Sequence, residues 1–148
     1  MYEKYTHQSL PSKQYRELLG SAICVFNANN AFVIETILRL DIQKIYDWFH
    51  LTDLESGRLK PSIQNVISTK CGPDIEKLFE EIIDRRNRIV HSFQITNKNG
   101  DQVLATKEKV SDGNRQFEIT EEYLLEFIEL NDQLSGMLHD LRATKTNI

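Results

Sequence analysis

The sequence predicts a mainly α-helical fold, an up-and-down bundle of four to five helices with a β-hairpin inserted before the last one, at about residues 93–119. Three observations lead there. Apolar residues recur every three or four positions over most of the chain. After Phe93 that period gives way to alternation. Asn99-Gly100 then supplies a hairpin turn, since both residues tolerate positive φ. Short connections favour antiparallel neighbours. All 148 residues read as one domain, large enough to bury a core without metals or disulfides.

The elements follow in order. Ser12 is a good N-cap for a first helix carrying Tyr15, Leu18, Leu19, Ala22, Ile23 and Phe26 at helical spacing. Asn27-Ala28-Asn29-Asn30 should end or bend it, because asparagine side chains compete for backbone hydrogen bonds. A second helix is expected from Ala31 to Phe49, with Trp48 and Phe49 in the core. Pro61 can open a short helix to about Lys70. Pro73 and Asp74 start the clearest helix, which runs to about Ser92 with Ile75, Leu78, Phe79, Ile82, Ile83, Ile89, Val90 and Phe93 in one stripe. Two or three short strands follow, with a second turn at Asp112-Gly113-Asn114. Thr120 can cap a last helix to about Arg142.

Composition bounds the function. A net charge of -4 argues against a non-specific nucleic-acid coat, which needs a broad basic surface, but leaves room for a local basic cleft. Cys24 and Cys71 lack metal-ligand spacing and read as two buried thiols in a reducing compartment. No segment is expected to reach the ~18 apolar residues of a membrane span. Met1-Tyr2-Glu3-Lys4-Tyr5 has no signal-peptide pattern. A cytoplasmic protein with no membrane partner, no metal and no cofactor is expected.

One constellation suggests chemistry. Arg86 lies four past Ile82 and three past Ile83, so at 100° per residue it falls inside the apolar stripe. Burying a guanidinium there costs several kcal/mol unless a carboxylate, a carbonyl or an anionic ligand compensates. Asn87 and His91 share the adjacent flank near the helix end, with Glu80 and Asp84 further back as candidate partners. Such a set suits RNA cleavage by the RNA's own 2′-hydroxyl. Histidine titrates near neutrality and can take the hydroxyl proton, and arginine can hold charge building on the phosphate. Arg85 and Arg88 flank the motif and could contact RNA phosphates, or form a solvated basic face.

Arg86-Asn87-Arg88-Ile89-Val90-His91 resembles the signature of the HEPN superfamily: Arg, then four to six residues, then His, commonly with Asn after the Arg. The resemblance implies a helical fold and a metal-independent endoribonuclease of the toxin–antitoxin or defence kind. It implies a homodimer whose cleft takes an Arg86 and a His91 from each protomer. Arg86 would bind the scissile phosphate, His91 would act as base or acid, and Asn87 would orient His91 or contact the phosphate. Such a nuclease would have RNA as substrate and an antitoxin protein as restraint. The HepT toxins carry Tyr two residues after the His; Phe93 stands there, so the likeness does not extend to that branch. A second reading keeps the same dimer surface without catalysis, as a binding module for nucleotide, RNA or a protein partner.

Overall fold

The structure, a computed structural model, describes residues 2–146. Helix α1 spans Lys13–Leu40, and Ser12 Oγ accepts the Tyr15 N–H at 3.1 Å as its cap. The break expected at Asn27–Asn30 does not occur. Asn29 is buried against α6 (Glu121–Thr146), where its Nδ2 donates to the Asn131 carbonyl at 2.7 Å and to Asn131 Oδ1 at 3.0 Å. Asn131 Nδ2 donates onward to the Phe127 carbonyl at 2.9 Å. An amide satisfied across the bundle no longer competes with its own backbone.

The helix also ends earlier than Phe49. The Asp41 N–H closes on the Ile37 carbonyl at 2.9 Å, and the buried Asp41 carboxylate accepts the Tyr46 N–H at 2.8 Å. Those two bonds turn the chain out, with Lys44 at a left-handed φ of 56°. A separate short helix, α2 (Trp48–Asp53), then starts under an Asp47 cap. Ile45, Trp48 and Phe49 therefore lie on the surface rather than in the core, Phe49 at 81% exposure. With α1 unbroken, one helix is long and apolar enough to cross a membrane by length and composition, contrary to expectation. In the fold its Ala22, Val33, Ile34 and Ile37 are buried.

The stretch opened by Pro61 forms α3 (Lys60–Ile63), a π turn (Gln64–Ser68) and α4 (Thr69–Cys71). Gly72, at φ +86°, ends it, and α5 (Asp74–Val90) follows. A three-stranded antiparallel sheet, in order β1 (Phe93–Thr96), β2 (Gln102–Lys107), β3 (Gln116–Ile119), then leads into α6. Phe93 faces Ala105 across the first pair and Leu104 faces Ile119 across the second. In the first turn only Gly100 has positive φ, +83°; Asn99 does not, because Asn97 Oδ1 accepts the Asn99 and Asp101 N–H groups and closes a longer loop.

The core lies between α1, α5, α6 and the 60–71 stretch. Tyr15, Phe26, Asn29 and Phe32 meet Ile119, Phe127, Asn131 and His139 in that order, so α1 and α6 lie side by side and run the same way. The Tyr15 hydroxyl donates to the Ile119 carbonyl at 2.6 Å and accepts the Leu104 N–H at 3.2 Å, tying α1 to two strands. Cys24 and Cys71 are exposed, not buried as expected, since each falls on the outer side of its helical segment.

Candidate functional site

Helix α5 carries Arg85, Arg86, Asn87 and Arg88, and His91 is its C-cap. Its apolar face buries Ile75, Phe79, Ile82, Ile83 and Ile89. Arg86 continues that face, half-buried, with its guanidinium carbon 5.1 Å from the centre of the Phe26 ring. Its Nε is buried and has no hydrogen-bond partner. Among the described residues no carboxylate pairs with it. The compensation that a buried cation needs is thus only partly supplied, by the face of one aromatic ring.

Glu80 and Asp84, the carboxylates expected nearest to Arg86 and His91, are taken elsewhere. Glu80 pairs with Lys60 at 2.5 Å and Asp84 with Lys109 at 2.7 Å. Both line a cleft of about 340 Å³ further along α5, with Phe79 and Ile83 at its base.

His91 caps the C-terminus of α5. Its N–H donates to the Asn87 carbonyl at 3.0 Å, and its ring is exposed. Asn87 is half-buried. Among the described residues neither its amide nor the His91 ring makes a side-chain hydrogen bond, so both are available to a ligand. Val90 and Phe93, expected in the apolar stripe, are 50% and 43% exposed; Val90 ends α5, and Phe93 has left the helix to open β1 opposite Ala105. They leave an apolar surface on both sides of His91. Arg86 and His91 are five residues apart, about 140° around the axis and about 7.5 Å along it. One protomer therefore presents them on different sides of the helix end.

Arg85 and Arg88 point elsewhere. Arg85 pairs with Glu126 at 3.2 Å and with Glu81 at 3.5 Å, and lies 5.5 Å from the Tyr123 ring centre. Arg88 Nη1 donates to the Lys107 carbonyl at 2.7 Å, which fastens α5 to the end of β2. Both border a cleft of about 440 Å³ whose lining includes none of Arg86, Asn87 and His91. The sequence reading missed Phe26 beneath Arg86 and Tyr123 beneath Arg85. No local signal marks either, because each ring comes from a helix remote in sequence. No family model matches the chain, and neither does any curated protein or solved structure.

Proposed function

We propose that the chain is a metal-independent endoribonuclease of the HEPN type, with Arg86, Asn87 and His91 as one half of a composite active site. The observation that carries this reading is the orphaned guanidinium: Arg86 is half-buried, lacks a carboxylate among the described residues, and keeps a buried Nε without an acceptor. A scissile phosphate would pair with the charge of this guanidinium through its terminal N–H groups, which are not buried.

The divergence of Arg86 and His91 around the helix favours a second copy. Val90 and Phe93 offer the apolar contact through which two helix ends could meet. In the assembled cleft one His91 takes the proton from the ribose 2′-hydroxyl. The resulting oxyanion attacks the adjacent phosphorus, Arg86 holds the charge that builds on the phosphoryl oxygens, and the 5′-oxygen leaves with a proton from the partner's His91. The products are a 2′,3′-cyclic phosphate and a 5′-hydroxyl. Asn87 orients the imidazole or holds a phosphoryl oxygen. Work of this kind belongs in the cytoplasm, and a free nuclease of this kind calls for an antitoxin partner.

The test is incubation of purified protein with single-stranded RNA in EDTA. Cleavage that leaves cyclic phosphate ends, and disappears in both Arg86→Ala and His91→Ala with folding retained, supports the reading. Intact RNA at high protein concentration, together with unaffected growth on expression, sinks it. The net charge of -4 favours the second reading, a dimeric binding module for nucleotide, RNA or a protein partner on the same surface, and that module would leave RNA uncut in this assay.

A further inference from the structure

Helix α5 carries a second orphaned guanidinium donor, on the face away from Arg86. Arg88 lies two residues on, about 200° around the axis. One of its five N–H donors is spent on the Lys107 carbonyl, while its Nε is buried with no acceptor. It borders the cleft between α5, the turn ahead of β3, β3 itself and the first turns of α6.

The composition of that cleft is unlike that of the chain. Arg85, Arg88, Lys109 and Arg115 line it. Against these four cations the lining sets three carboxylates, Asp84, Glu108 and Asp112, while Glu81 and Glu126 hold Arg85 from outside it. Phe117 and Tyr123 form an apolar wall, their ring centres 5.8 Å apart. Burial, opposed by the nearby Arg85 and Arg88, pushes the Tyr123 phenol above the ordinary tyrosine range.

We infer that this cleft binds a nucleotide, with the phosphoryl group on Arg88, Lys109 and Arg115 and the base against the Phe117–Tyr123 wall. The inference does not rest on the nuclease reading. Only one Arg88 N–H is spent on the Lys107 carbonyl, so its remaining donors can bond a phosphoryl oxygen without giving that contact up. The other cations exchange weak partners: Lys109 holds Asp84 at 2.7 Å and Arg115 holds Glu108 at 3.2 Å, both with at least one largely exposed member. Exposed pairs of that kind contribute about 0–1 kcal/mol, whereas charge-assisted bonds to phosphate are stronger. The Arg85 guanidinium stacked on Tyr123 extends the flat surface a base would meet. At about 440 Å³ the cleft has the size of a small-ligand site.

The ligand could be a free nucleotide or one residue of an RNA strand, and two titrations separate these. Full-length labelled protein is titrated with ADP, and separately with a short 2′-O-methylated RNA that cannot be cleaved. Amide and arginine Nε–H resonances report the site without turnover. The expected result is saturable movement of the Arg88 Nε–H and of the Lys109, Arg115 and Tyr123 amides. Lys109→Ala combined with Arg115→Ala, both surface positions, should weaken binding at least roughly tenfold. Response to ADP identifies a free nucleotide, and response to the RNA alone identifies a strand. The inference is overturned if neither probe moves these resonances at millimolar concentration. It is equally overturned if the double variant binds as tightly as the parent, or if the shifts centre on Arg86 and His91.

Discussion

Arg86→Met should stabilise the protein and, on the proposed nuclease reading, abolish RNA cleavage. The buried Nε without an acceptor costs about 1–3 kcal/mol of desolvation. The Phe26 contact at 5.1 Å returns about 0.5–1 kcal/mol at a half-exposed position. Methionine relieves the first term and replaces the second with a sulfur–aromatic contact of similar size, about 0.3–1.5 kcal/mol. The net gain is on the order of 1 kcal/mol, or roughly 2–4 °C in melting temperature for a domain of this length. Urea unfolding with an unchanged slope, checked by calorimetry, measures it. Arg85→Met is the internal contrast, because Arg85 is held by Glu81 and Glu126 and its removal should lower stability by up to about 1 kcal/mol. A loss of more than 1 kcal/mol in Arg86→Met would refute the reasoning. The guanidinium would then belong to the fold, and lost cleavage would report unfolding.

Tyr15→Phe should cost about 1–3 kcal/mol, since it strips the Leu104 N–H and the Ile119 carbonyl of the hydroxyl that serves both; chemical denaturation measures the loss. Tyr15 and Tyr123 both have phenols raised above the ordinary value, in each case chiefly by burial. The unfolded chain releases these protons first, so stability should fall as pH rises above about 10, and an ultraviolet titration should show two late phenols that become ordinary in urea. Cys24 and Cys71 should both react with a thiol reagent in the folded state; protection until unfolding would contradict their exposure.

Local pattern was enough for the existence and order of α5, α6 and the strands, though not for the Asn99-Gly100 turn, which Asn97 reshapes. Their apolar stripes, the Thr120 cap and the turn at Asp112-Gly113-Asn114 act within a few residues of each other, so the sequence displays them directly. Misreadings occurred where a distant group decides the outcome. Asn29 looks like a helix breaker until Asn131 is placed beside it, 102 positions away. The apolar stripe of α1 seems to continue to Phe49, yet the buried Asp41 carboxylate holding the Tyr46 N–H ends it. At the site, the stripe position of Arg86 was legible from Ile82 and Ile83. What surrounds it was not, since Phe26 comes from α1 while the nearby acids are drawn to Lys60 and Lys109.

The lateral pairing of α1 with α6 has a consequence for synthesis. The contacts that bury the inner face of α1 come from residues about 100 positions later, such as Ile119, Asn131 and His139. At roughly 5–20 residues per second, α1 emerges from the ribosome about 5–20 s before its partner exists. During that interval a long apolar helix lacks its main partner and has only α2, the 60–71 stretch and α5 to pack on as they appear, which makes it a natural client for a chaperone. Folding should complete in a late step, once the last helix closes over the first, and removal of α6 should yield an aggregating chain rather than a smaller folded one.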